Sequence, residues 1–302
     1  MKRSVLLLLS AGLLVGVASA QQHQPPDTLR PPSSGITAYK DLAYVLGGLE
    51  RQKLDLYIPV DGDGPFPLII WIHGGAWKYG SKDGCIPLPW VAKGYAVASI
   101  NYRLSQDAKF PAQIMDCKAA VRWLRAHAKQ YKIDRDRFIA WGDSAGGHLA
   151  SLLGTAGDAV EWEPGPPAES SRVQAVIDWY GRADLTRVCT DPDMAEHPVA
   201  QLLGGSGERV AEIALKASPI TYVSKDDPPF LIMHGDVDKT VPVQQSEALA
   251  EALKKKDVPV TLVILHGVDH GGQEFLKPEK VKIIDSFLKE YLRRSPNLAR
   301  SN

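Results

Sequence analysis

Cysteine, methionine and surplus charge are what this chain has least of. Its 302 residues include three cysteines and four methionines, and 35 lysines and arginines balance 35 aspartates and glutamates. Without a basic surplus there is no electrostatic footprint for nucleic acid. No cysteine and histidine cluster has metal-ligand spacing, so no metal site is expected. Long apolar runs are also scarce, and beyond the N-terminus no segment reads as long enough to span a bilayer. What the chain does have, 44% hydrophobic residues, suffices to bury the core of one large α/β domain.

The N-terminus opens with Met1-Lys2-Arg3, continues through the apolar Val5 to Leu9 and beyond, and reaches the small residues Ala18-Ser19-Ala20. A basic start, an apolar middle and a small-residue site predict a cleavable export signal over residues 1–20 rather than a membrane anchor. The expected mature protein is secreted or periplasmic, has no stable membrane association, and carries 33 basic against 35 acidic residues. Residues 21–36, with Pro25, Pro26, Pro31 and Pro32, read as an exposed leader before a domain over 37–297. Oligomeric state is not written in the sequence. Cys85, Cys117 and Cys189 allow one disulfide and one free thiol. A Cys85 to Cys117 bridge is the expected pairing, since both would follow strands toward one sheet edge. The alternative for Cys117 is apolar filler on a helical face with Ile114, Val121 and Leu124.

Leu54, Leu56 and Ile58 alternate with polar neighbours, which predicts a half-exposed strand. Thereafter the pattern is one of continuous apolar runs: Pro67 to Ile72, Tyr95 to Ile100, Arg137 to Trp141, Val173 to Trp179, Pro229 to His234 and Val258 to Leu265. Such runs belong in a parallel sheet covered on both faces. Helical spacing separates them, over Ala112 to Ala128, Val243 to Lys256 and Pro278 to Arg294. The expected fold class is therefore α/β, a mostly parallel doubly wound sheet whose ligand site lies at the carboxyl ends of its strands. Residues 181–226, interrupted by Pro192, Pro198, Gly204-Gly205 and Pro219, read as a lid-like insertion over that site.

Gly142-Asp143-Ser144-Ala145-Gly146 lies between an apolar strand and a helix-like run. Glycines on either side of a serine permit a sharp turn that leaves the hydroxyl exposed at a strand end, the position of a nucleophile. A serine hydroxyl needs a base, and the base needs a carboxylate to fix its tautomer. His270 is the candidate base, because Gly271-Gly272 allows a turn back toward the sheet. His266 ends the strand itself and, like His234, His73 and His148, reads as a packing or hydrogen-bonding residue. Asp238 is the candidate acid, placed to reach an adjacent loop, whereas Asp236 reads as a turn cap. His73-Gly74-Gly75-Ala76-Trp77 follows an earlier strand and can offer backbone amides to a developing oxyanion. The expected donors are Gly75, Ala76 and Ala145, with Trp77 and Tyr102 as candidate substrate-binding residues.

With Ser144, Asp238 and His270 in that order and His-Gly-Gly before them, the chain resembles the α/β-hydrolase superfamily. Specifically, it resembles secreted carboxylesterases close to the hormone-sensitive-lipase-like and bacterial feruloyl-esterase-like groups. Asn101-Tyr102-Arg103-Leu104 and Asp226-Asp227-Pro228-Pro229-Phe230 support the match, which covers roughly residues 45–295. Ala76 departs from it, standing where lipase-like relatives carry a third glycine. The resemblance implies ester hydrolysis through an acyl-serine without cofactor, on small or polysaccharide-linked esters such as acetyl or feruloyl groups. Amidase, formamidase or peptidase action on the same fold is the enzymatic alternative. A binding module that has lost catalysis is the alternative of another class.

Overall fold

The computed structural model describes residues 35–157, 162, 168–186 and 197–292. The expected signal, nearly all of the leader, Cys189 and part of the expected insertion lie outside the described residues. Eight strands form one sheet: β1 (Ile36–Ala43), β2 (Lys53–Pro59), β3 (Phe66–Ile72), β4 (Ala96–Ile100), β5 (Ile133–Asp143), β6 (Ala175–Trp179), β7 (Phe230–Gly235) and β8 (Val260–Leu265). Their order is β1-β2-β4-β3-β5-β6-β7-β8. β2 runs antiparallel to both neighbours, and the pairs from β4 through β8 are parallel.

The helices are α1 (Ala112–Ala126), α2 (Ala145–Thr155), α3 (Pro198–Leu203), α4 (Ala211–Lys216), α5 (Gln244–Lys255) and α6 (Pro278–Tyr291). Alternate residues of each central strand feed two separate cores, the reason these strands are apolar without interruption. Leu68, Ile70 and Ile72 of β3 and Phe138 and Ala140 of β5 pack with Ile114, Val121 and Leu124 of α1 and Leu149 and Leu153 of α2. Ile69, Trp71, Ile139 and Trp141 face the other way, against Trp90, Phe275 and Ile284, Phe287 and Leu288 of α6. Trp71 and Trp141 are register partners, and Trp90 and Trp179 meet Trp141 edge-on at 5.0 and 5.2 Å. Each such ring, fully buried, contributes a few kcal/mol, so the wall behind the parallel strands is rigid.

Two expectations fail here. Polar alternation in β2 does not mean exposure: Asp55 is buried, held by Lys40 at 2.6 Å and Lys82 at 2.8 Å. Lysines brought from β1 and from the loop after β3 neutralise a carboxylate that would otherwise make the strand face expensive to bury. The Cys85 to Cys117 bridge does not form, and both thiols are free. Cys117 lies in the core on the α1 face, whereas Cys85 packs against the tryptophan core on the opposite face. The sheet stands between them.

Candidate active site

The turn after β5 is forced by contacts on both sides. A β-carbon at Gly142 would meet the carbonyl oxygen of Gly146 at 2.2 Å, and one at Gly146 would meet that of Ile72 at 1.9 Å. Ser144 sits between them at φ 51°, ψ −115°, a conformation that costs of order 1–3 kcal/mol. Its N–H donates to the Trp179 carbonyl and its own carbonyl accepts from His148 N–H, so neighbouring structure holds the strain in place.

Ser144 Oγ lies 2.9 Å from His270 Nε2, and His270 Nδ1 lies 2.6 Å from Asp238 Oδ2. A carboxylate can only accept, so Nδ1 carries the proton and Nε2 is left to accept from the serine hydroxyl. Ser144 follows β5, Asp238 follows β7 and His270 follows β8, all at the carboxyl edge of the sheet. Tyr180, buried at the end of β6, stands edge-on to the His270 ring at 4.7 Å and fixes its plane.

Asp238 Oδ1 accepts the N–H groups of Thr240 and Val241, both at 2.8 Å, and its Oδ2 also lies 3.2 Å from His234 Nε2. Burial pushes its carboxyl up, but hydrogen bonds from His234 and His270 and from the Val241 N–H outweigh it and hold it well below the ordinary carboxylate range. His234, read from sequence as a packing residue, thus lies behind the acid, its Nδ1 bonded to Ser246 Oγ at 2.6 Å. Asp236 instead accepts from His266 Nδ1 at 2.8 Å and from Gly267 N–H at 2.7 Å. Neither it nor His266 reaches Ser144, and together they tie the two loops after β7 and β8.

The loop after β3 carries three successive left-handed residues, Gly75, Ala76 and Trp77, at φ 106°, 54° and 56°. Gly74 N–H donates to Asp143 Oδ1 at 2.7 Å, pinning this loop to the serine turn, and Gly75 O accepts from Lys78 and Tyr79 N–H to close it. Ala76 and Ala145 line a cleft of about 250 Å³ with Ser144, and their N–H groups have no acceptor among the described residues. Gly75 forms the turn and does not itself line the cleft. The tie of Asp143 to the loop after β3 has no signal in the sequence.

Trp77 lines the cleft, its Nε1 donating to His148 Nδ1 at 3.2 Å. His148 Nε2 in turn donates to the Ala217 carbonyl at 2.7 Å. Tyr102 does not line this cleft and cannot take the substrate-binding role expected of it. It is fully buried beneath the loop, stacked on His73 at 4.5 Å with its hydroxyl donating to the His73 carbonyl at 2.9 Å. The remaining walls are Arg182, His197, Pro198, Lys239, Thr240 and Val241. His197 and Pro198 come from the segment expected to be an insertion, which is anchored through Val199, Leu202, Ala214 and Ala217 in the core.

Burial holds His73 and His148 down to about 4, only partly opposed by their bonds to the Gly74 and Ala217 carbonyls. Below the usual histidine value of about 6.5 an unfolded chain takes up protons that these folded rings refuse until about pH 4. Their stability is therefore complete above pH 6.5 and lost as pH falls toward 4, at up to about 1.4 kcal/mol per pH unit for each ring. The Asp238 carboxylate acts in a lower window, stabilising above the usual carboxylate value of about 3.9 and losing that as pH drops below it. Urea midpoints measured from pH 7 to pH 4.5 are expected to fall steadily; a flat profile would contradict the buried neutral pair.

Comparisons with known proteins agree with this architecture. The BD-FAE family profile matches residues 54–253. The chain is 36% identical over 258 residues to the probable carboxylic ester hydrolase LipM of Mycobacterium tuberculosis, covering 82% of this chain and 59% of that protein. It is 32% identical over 280 residues to esterase LipC of the same organism, covering 87% and 69%. The chain thus spans about three fifths to two thirds of these relatives. Among solved structures, a truncated carbohydrate esterase from gut microbiota superposes with a TM-score of 0.80 at 32% identity, covering 86% of this chain and 98% of that one. An acetyl ester-xyloside bifunctional hydrolase from Caldicellulosiruptor lactoaceticus gives a TM-score of 0.68 at 31% identity, covering 79% and 87%. The sheet and its helices have the α/β-hydrolase fold.

Proposed function

The chain belongs to the BD-FAE family, and from that premise we propose that it hydrolyses carboxylic esters through an acyl-serine, with acetyl groups on saccharides as the preferred class. The observation that carries this reading is the pair of hydrogen bonds joining Ser144 Oγ to His270 Nε2 and His270 Nδ1 to Asp238. His270 Nε2 takes the Ser144 proton as Oγ attacks the ester carbonyl carbon. Charge then gathers on the carbonyl oxygen, where the Gly75, Ala76 and Ala145 region supplies N–H donors, with Ala76 and Ala145 on the cleft wall. Each such donor, aimed before the reaction begins, is worth about a hundredfold to a thousandfold. The alcohol leaves with the His270 proton. Water, deprotonated by the same nitrogen, then attacks the acyl carbon and frees Ser144.

Two features favour a saccharide over a simple aliphatic ester. The structural relatives include a carbohydrate esterase and an acetyl ester-xyloside hydrolase. Beyond Trp77 the same loop borders a second, polar groove of about 360 Å³ lined by Lys78, Tyr79, Ser105, Gln106, Lys109 and Gln201, with Tyr79 66% exposed. An exposed ring among amide and ammonium donors suits a sugar face and its hydroxyls. Export belongs to the same proposal, supported by the pattern of residues 1–20. Turnover of acetyl, butyryl, octanoyl and feruloyl esters and of acetylated xylan tests it. Acetyl release from xylan with short acyl preference is expected, and no turnover of any ester by folded protein would overturn the reading.

A further inference from the structure

Arg182 is 8% exposed, lines the cleft with Ser144, and among the described residues makes one hydrogen bond, from Nη2 to the Thr240 carbonyl at 2.7 Å. No carboxylate forms an ion pair with it among the described residues. Asp238, whose charge acts on it, has its oxygens committed to the Thr240 and Val241 N–H groups and to the His234 and His270 rings. A guanidinium with most of its donor edge unused is costly to bury and is a poor choice for packing.

The same wall holds His197, whose Nδ1 accepts the Val199 N–H at 3.1 Å and so leaves Nε2 to donate. Lys239 stands at the rim, and no cleft-lining residue is acidic. The cleft thus sets a nucleophile opposite the Arg182 guanidinium and the donating His197 ring, while Lys239 at the rim lies 3.6 Å from Asp269.

Resting on the ester-hydrolase reading, we infer that Arg182 is a specificity-determining residue, and that the substrate carries a carboxylate a few bonds from the scissile ester. A planar carboxylate matches the free guanidinium edge bidentately, with His197 as a further donor. Neutral esters enter the cleft but leave the guanidinium unanswered.

The test compares esters that differ only in charge. On the alcohol side, 3- and 4-acetoxybenzoate are set against 3- and 4-acetoxybenzamide. On the acyl side, monomethyl glutarate is set against its amide. For the wild type, kcat/KM is expected to favour the carboxylate of at least one pair by roughly ten- to a hundredfold. In Arg182→Met that ratio is expected to collapse toward one, and Arg182→Lys should retain part of it. A purely structural role for Arg182 would lower both members of a pair alike and leave the ratio unmoved. The wild-type ratio and the Lys variant decide the matter even if the Met variant fails to fold. Equal turnover of the paired esters by wild type, or a preference that survives Arg182→Met, overturns the inference while leaving ester hydrolysis standing. Absence of turnover on every ester, charged and neutral alike, would instead strike the ester-hydrolase reading itself.

Discussion

Ser144→Ala is expected to lower ester turnover by roughly a millionfold while leaving the fold in place, because without the hydroxyl there is no covalent route and the aligned base has nothing to deprotonate. The hydroxyl contributes one hydrogen bond, to His270. The bonds that hold the turn, from Ser144 N–H to the Trp179 carbonyl and from His148 N–H to the Ser144 carbonyl, are made by backbone and persist in alanine. The left-handed backbone at this position strains alanine about as much as serine, so the unfolding free energy should move by no more than about 0.5 kcal/mol. Steady-state turnover and a thermal melt on the same preparation check both halves. Activity within tenfold of wild type would remove Ser144 from the role of nucleophile.

Asp238→Asn is expected to cost about 10⁴ in turnover, since the amide can present a donor to His270 Nδ1 and favour the wrong tautomer. Asp236→Asn is expected to cost less than about tenfold, because its partners are His266 and the Gly267 N–H, neither of which touches Ser144. The contrast is the informative measurement, as the two carboxylates sit two residues apart on one loop and their variants share any general loosening of it. A reversed order would exchange their roles.

Much of this arrangement was legible in the sequence because its causes are local. The apolar runs within β3 to β7 follow from burial on two faces, and the serine turn is signalled by glycines that no side chain could replace. Legibility failed wherever a residue's meaning depended on something distant. β2 read as half-exposed because its polar positions gave no hint of Lys40 and Lys82 arriving to pair with Asp55. Tyr102 read as a substrate contact because its nearness to a strand end was visible, and its burial against His73 was not. The wall formed by Arg182 and His197 left no motif, since one follows β6 and the other belongs to a segment that folds over later.

By itself the sequence determined the alternation of strands and helices, the strained serine turn and the order of hydroxyl, carboxylate and imidazole along the chain, all of which follow from side-chain periodicity and backbone sterics over a few residues. Only the tertiary structure decided which carboxylate meets His270, which face each cysteine takes and which charge lines the cleft. Those outcomes depend on strand order in the sheet, which swaps β3 and β4 and brings the ends of β5, β7 and β8 to one edge. Contacts across such distances are set by the packing of two cores at once, and no local stretch of chain encodes them.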